Sequence, residues 1–174
     1  MNDIKNKKVA ILTDHGFEEI ELTSPRKALE DAGAIVHIIS MQQGNVKAWD
    51  HDHWSIEIPV DVSLKDAEPE NYDALMIPGG VINPDQMRRH AEYIHFAQHF
   101  LETGMLSGRQ LTSFASIKTD LINAGAQWED KEVIEDNGLI TSRSPADLEA
   151  FNKKMLEAFA EYKHLTTSSF TPES

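Results

Sequence analysis

No cysteine occurs anywhere in the 174 residues. That absence excludes disulfides, thiolate metal sites and a cysteine nucleophile. Long apolar runs are missing too. No stretch approaches the ~20 residues of a membrane-spanning helix, and mean hydropathy is −0.42. Positive charge is scarce: 16 Lys+Arg stand against 29 Asp+Glu, a net charge of −13. A surface that acidic repels phosphate backbones and anionic lipid, which argues against nucleic-acid and membrane partners. Met1-Asn2-Asp3-Ile4-Lys5 lacks a basic-then-apolar leader pattern. The sequence therefore predicts a soluble, cytoplasmic chain, with one domain over residues 1–165 and a polar tail over 166–174.

What is present alternates between buried-strand and helix patterns. Lys8 to Thr13, Ala34 to Ser40 and Ala74 to Ile77 are short Val/Ile/Leu-rich runs of the kind covered on both faces. Between the first two, Leu22, Leu29 and Ala32 share a helix face and Gly33 supplies the stop. Ser24-Pro25 reads as its start, unless Glu18–Glu21 is already helical and Pro25 sits at a bend. Trp49 and Trp54–Ile58 predict antiparallel strands around Asp50-His51-Asp52-His53. Asn83-Pro84 with Gln86 predicts a capped helix whose stripe is Met87, Ala91, Ile94, Ala97 and Leu101, ending at Gly104. Gln110–Phe114 reads as a weak strand and Ile117–Ala124 as a short helix. Asn137-Gly138 is a hairpin turn, and Ser144-Pro145 starts a last helix with Leu148, Phe151 and Met155 inward. This order predicts an α/β fold with a mainly parallel sheet.

Several segments in register resemble the PfpI/ThiJ family: Gly16-Phe17-Glu18-Glu19-Ile20-Glu21-Leu22, Asp73 to Gly80, Leu111 to Leu121, Asn123 to Trp128, and Asn137 to Arg143. The resemblance covers about residues 7–160. It implies a flavodoxin-like three-layer sandwich related to class I glutamine amidotransferases, no cofactor, and self-association as a dimer or larger. It also implies a cysteine hydrolase, peptidase or deglycase-like, acting on a peptide or small molecule. One unit of the family pattern is missing. Relatives follow a helix like the one ending at Glu102-Thr103-Gly104 with a strand, a sharp turn bearing Cys-His, and a further helix. Here Gly104 runs directly into Met105-Leu106-Ser107-Gly108. The resemblance therefore implies a stress-associated family member that has lost its nucleophile, one strand-helix unit shorter than its relatives. The alternative is a hydrolase whose full-length form keeps that unit.

Within the resemblance, Glu21 matches the glutamate that pairs with the family's cysteine, and Gly79 and Gly80 match a turn whose N–H groups can face an oxyanion. The same residues also fit a first-turn glutamate favoured by the helix dipole and a tight turn. No metal site is expected: His95 and His99 lie at i, i+4, and His51 and His53 flank Asp52, but neither pair sits in a zincin pattern. Ser113 and Ser116 read as turn and cap residues, since no Gly-x-Ser-x-Gly elbow surrounds them. Losing an interior strand would leave the sheet with a gap between Ala74–Ile77 and Leu139–Ser142. The expectation is that Gln110–Phe114 slides into it, and that the uncovered sheet face leaves an apolar patch.

Overall fold

Strand β1 (Lys8–Leu12) explains the layering. Val9 and Ile11 pack into one apolar cluster, and Ala10 and Leu12 into a second on the opposite face. The alternation of a strand buried on both sides dictates this. The computed structural model describes residues 4–100 and 106–161. After β1 come β2 (Phe17–Glu18), α1 (Glu19–Asp31), β3 (Ile35–Ser40), β4 (Asn45–Asp50), β5 (His53–Pro59), β6 (Val62–Ser63) and β7 (Ala74–Met76). Then follow α2 (Ile82–Met87), α3 (Ala91–Phe100), β8 (Gln110–Leu111), α4 (Lys118–Asn123), β9 (Gln127–Trp128), β10 (Val133–Asp136), β11 (Leu139–Ser142) and α5 (Leu148–Glu161).

The central sheet is parallel, in the order β6-β3-β1-β7. Helices α1 and α5 contribute Leu22, Leu29 and Met155 to one face, and α3 contributes Tyr93 and Phe96 to the other. The result is a three-layer α/β sandwich of the flavodoxin-like kind. Beside it, β4 and β5 form an antiparallel hairpin whose β4 also pairs with β2, while β10 and β11 form another around Asn137 and Gly138. Both of those turn residues have positive φ, 48° and 83°, as a two-residue turn of this type requires.

Of the two starts open for α1, the earlier holds: the helix begins at Glu19 and Pro25 lies inside it, so Ser24-Pro25 is not its start. The next helix is a correction. The helix expected from Asn83 to Gly104 is two helices, because a turn at Arg88 and Arg89 interrupts it. After the break, Tyr93 and Phe96 face the core while Ile94 is 42% exposed. A single helical stripe through Met87 and Ile94 is not what packs. Leu101, the Glu102-Thr103-Gly104 junction and the 166–174 tail lie outside the described residues.

The gap in the sheet is the larger correction. Gln110–Phe114 does not enter it, and β7 and β11 do not close up. Strand β8 keeps only Gln110 and Leu111 and pairs with β9, β11 pairs with β10, and β7 ends the central sheet among the described residues. The reason is local anchoring. Gln110 N–H donates to the Asp136 carboxylate (2.8 Å), Thr112 N–H to Thr141 Oγ1 (3.0 Å), and the Arg109 guanidinium to the Asp136 carbonyl (2.6 Å). Gln127 N–H donates to Arg109 C=O (2.8 Å) and Glu129 N–H to Leu111 C=O (3.0 Å). Moving into the gap would break this set.

Candidate functional site

The loops after β1 and β7 meet at the C-terminal edge of the parallel sheet, where open α/β sheets host their sites. Asn83 ties them together. It is fully buried; its Nδ2 donates to Pro78 C=O (2.9 Å), and its Oδ1 accepts from Asp14 N–H (2.7 Å) and Thr13 Oγ1 (3.2 Å). A residue read as a helix cap is therefore an internal brace, since α2 starts one residue before it, at Ile82.

Glu21, in the first turn of α1, reaches this edge half-buried. Its carboxylate lies against the Gly79 backbone. Burial pushes its pKa above the ordinary 4.5, the Gly79 hydrogen bond acts in the opposite direction, and the Glu18 charge adds to the rise. The fit is close: a methyl group on Gly79 would overlap Glu21 Oε2. The structure thus brings Glu21 and Gly79 together. Gly80 has φ +111°, and a side chain there would lie 2.9 Å from Glu18 N and from Gly16 O, so it is a packing glycine of the turn.

A second network beneath the site was not legible from the sequence. Tyr93 Oη contacts Ser40 Oγ (3.0 Å), accepts from Met41 N–H (2.9 Å), and lies 2.8 Å from Asp14 Oδ2. Asp14 Oδ1 accepts from His15 N–H (2.6 Å) and Gln42 Nε2 (2.9 Å). Burial holds the Tyr93 phenol well above its ordinary pKa of 10. A tyrosine three residues into a helix gives no sequence signal of this role.

Next to Glu21 and Gly79 lies a cavity of about 500 Å³, bounded by β7 on one side and by Leu111, Thr112, Ser113 and β11 on the other. It occupies the gap that neither strand fills. Ser113 Oγ donates to Phe114 C=O and accepts from Trp128 Nε1, each at 3.0 Å. Ser116 is not a cap: it lies exposed inside the one-turn helix 115–117, whose N-cap is Phe114. Ile77 and Ile117 line the cavity yet remain 44% and 46% exposed.

Of the histidines singled out by spacing, His51 joins a cluster of possible ligand atoms among the described residues. His95 and His99 are both exposed on α3. His51 turns toward Asp50 and Glu18, while His53 contacts Asp52 at 2.9 Å. Glu18, Asp50 and His51 offer ligand atoms within 4.8 Å of one another, the group of described residues that could hold a cation. Hydrogen bonds donated to the Asp50 and Asp52 carboxylates raise the pKa of His51 and His53 respectively. Among the described residues, no helix is long and apolar enough to cross a membrane.

A sequence model described as the DJ-1/PfpI family matches residues 7–158. An uncharacterized protein of Staphylococcus saprophyticus is 40% identical over 169 residues, spanning 86% of this chain and 96% of that one. A Bacillus subtilis protein named "Putative cysteine protease YraA" is 38% identical over 168 residues, spanning 87% and 97%. Among solved structures, Drosophila melanogaster DJ-1beta superposes with TM-score 0.78 at 26% identity, covering 90% of this chain and 92% of that one. A two-domain Anabaena variabilis protein with DJ-1/ThiJ/PfpI-like and ferritin-like domains gives TM-score 0.79 at 32% identity. There the match covers 87% of this chain and spans about half of the larger protein, 48%.

Proposed function

The chain belongs to the DJ-1/PfpI family, and from that premise we propose that it is a family scaffold without nucleophilic chemistry. The observation that carries this reading is the state of the Glu21–Gly79 pair. The glutamate stands at the sheet edge against a cavity, and no thiol exists in the chain for it to serve. The Glu21 carboxylate packs directly against the Gly79 backbone, whose N–H an oxyanion would need. Without a nucleophile no covalent intermediate forms, and positioning alone gives no acyl transfer. The aligned lengths support a missing internal unit. The Staphylococcus alignment runs over 169 positions, whereas 86% of 174 residues is about 150.

On this reading Glu21, Gly79 and Gly80 are a vestigial site, and the protein is a cytoplasmic, stress-associated member that self-associates. The name of the Bacillus relative favours a second reading for any form that carries the missing unit. There Glu21 would meet a thiol, and peptidase or deglycase-like hydrolysis would follow. The test is acid-quenched intact-mass measurement during incubation with a chromogenic acyl ester. The mass is expected to remain that of the unmodified chain. An acyl adduct that forms on this chain but not on Glu21→Gln would overturn the proposal.

A further inference from the structure

Glu18 carries a charge that the fold leaves without a donor. Its side chain is only 16% exposed, yet among the described residues no N–H or O–H donates to its carboxylate. Its one charged partner is the His51 ring, with Nδ1 3.9 Å from Glu18 Oε1. The same ring is the ion-pair partner of Asp50, and no Lys or Arg among the described residues pairs with either carboxylate. A carboxylate drawn out of water costs free energy unless a donor or a counter-charge compensates it. One imidazole here faces two carboxylates, and positive charge is short.

Strand pairing imposes the grouping. Strand β2 runs parallel to β4 with Glu18 opposite Trp49, so Glu18 lies beside the end of β4 at Asp50. The chain then turns at His51, whose φ is 54°, and Trp49 Nε1 donates to the His51 carbonyl (2.9 Å). Ligand atoms of Glu18, Asp50 and His51 lie within 4.8 Å of one another. Nitrogen and oxygen ligands at about 2.0–2.2 Å from one zinc ion are no more than about 4.4 Å apart. The Glu18–His51 spacing already falls inside that limit. His51 is 85% exposed, so its ring can turn to close the remainder without disturbing the core.

We propose that Glu18, Asp50 and His51 bind a zinc ion. An imidazole nitrogen with two carboxylate oxygens is a borderline donor set: magnesium and calcium favour oxygen shells, and a thiolate-seeking ion finds no cysteine in this chain. His51 Nδ1 coordinates by giving up the proton it donates to Asp50 Oδ1, and that proton passes to solvent. The ion supplies the positive charge that Glu18 and Asp50 lack. Three protein ligands leave one position for water. Neither Glu21 nor Gly79 is a ligand, so zinc binding and the absence of turnover can fail separately.

The intact chain, treated with chelator and then freed of it, is titrated with zinc by calorimetry. Urea unfolding is measured with and without zinc. One saturable site is expected, together with a midpoint raised by zinc, because the ion binds only the folded grouping. His51→Ala and Glu18→Gln should each weaken the affinity about tenfold or more, since even partners outside a coordination shell cost that much. Each should also cancel the zinc-dependent rise in midpoint. His95→Ala, which removes an exposed imidazole on α3, should leave both readings unchanged. Absence of saturable zinc binding overturns the proposal. Saturable binding that is unchanged in His51→Ala or in Glu18→Gln marks adventitious surface binding only and overturns it too, as does equal affinity for magnesium. If Glu18→Gln does not fold, the exposed His51 position decides.

Discussion

The Glu21 carboxylate packs so closely on Gly79 that a single methyl added to Gly79 would overlap it. Gly79→Ala must therefore displace Glu21, and overpacking of this kind costs about 1–3 kcal/mol. The double variant Gly79→Ala/Glu21→Ala should be less destabilised than the sum of the singles, because the second change removes the clash. Urea unfolding of the four proteins measures the coupling. Strict additivity would show that the two residues do not meet.

The pH dependence of stability should report the same carboxyl. Its folded pKa lies above 4.5, so the folded state holds the proton more tightly than the unfolded one. Stability is then lost as pH rises from the unfolded value through the folded pKa, and the loss is complete above it. Glu21→Gln keeps an acceptor for the Gly79 N–H and removes the charge. It should match the parent protein below pH 4 and be the more stable of the two at neutral pH. Unfolding midpoints across that range check this, and a Glu21→Gln protein that is less stable at neutral pH would contradict it.

Asn83→Ala removes the brace between the β1 and β7 loops. The buried Asp14 N–H and Pro78 C=O each lose the partner they have in Asn83, a loss of about 1–3 kcal/mol for each group left unpaired. The predicted outcome is a lowered urea midpoint with unchanged far-ultraviolet circular dichroism. A change within error of zero would mean that the loops hold themselves.

Arg143 forks onto Asp147 (2.9 Å) and also reaches Asp130 (2.7 Å). The guanidinium holds the Asp147 carboxyl below its ordinary 3.8, so the contribution is present above that value and fades as pH falls through the folded pKa. Arg143→Ala should lower the unfolding midpoint at pH 7 and narrow its difference from the parent protein as pH drops below 3.8. A pH-independent difference would assign Arg143 a packing role alone.

The parallel core was legible because β1, β3 and β7 are continuous Val/Ile/Leu runs, and the Asn137-Gly138 turn because few dipeptides tolerate two positive φ values. Asn83 was misread because a capping residue and a buried brace carry the same side-chain chemistry; only tertiary contact separates them. The α3 register was misread because Tyr93 buries its ring for the sake of its hydroxyl, against a stripe drawn from Met87 and Ile94. The fate of Gln110–Phe114 depended on anchors from Asp136 and Thr141, which are distant in sequence and have no periodic signature. Glu21 and Gly79 were each singled out through the family resemblance, whereas their contact with one another and the orphan hydroxyl of Thr112 are visible only in three dimensions.

Steady-state turnover is the most direct measurement of the central claim. The intact chain and Glu21→Gln are incubated side by side with methylglyoxal and with fluorogenic peptides. The account predicts rates equal to buffer for both proteins. Turnover well above buffer by the intact chain, abolished in Glu21→Gln, would contradict it and establish cysteine-free catalysis at this site.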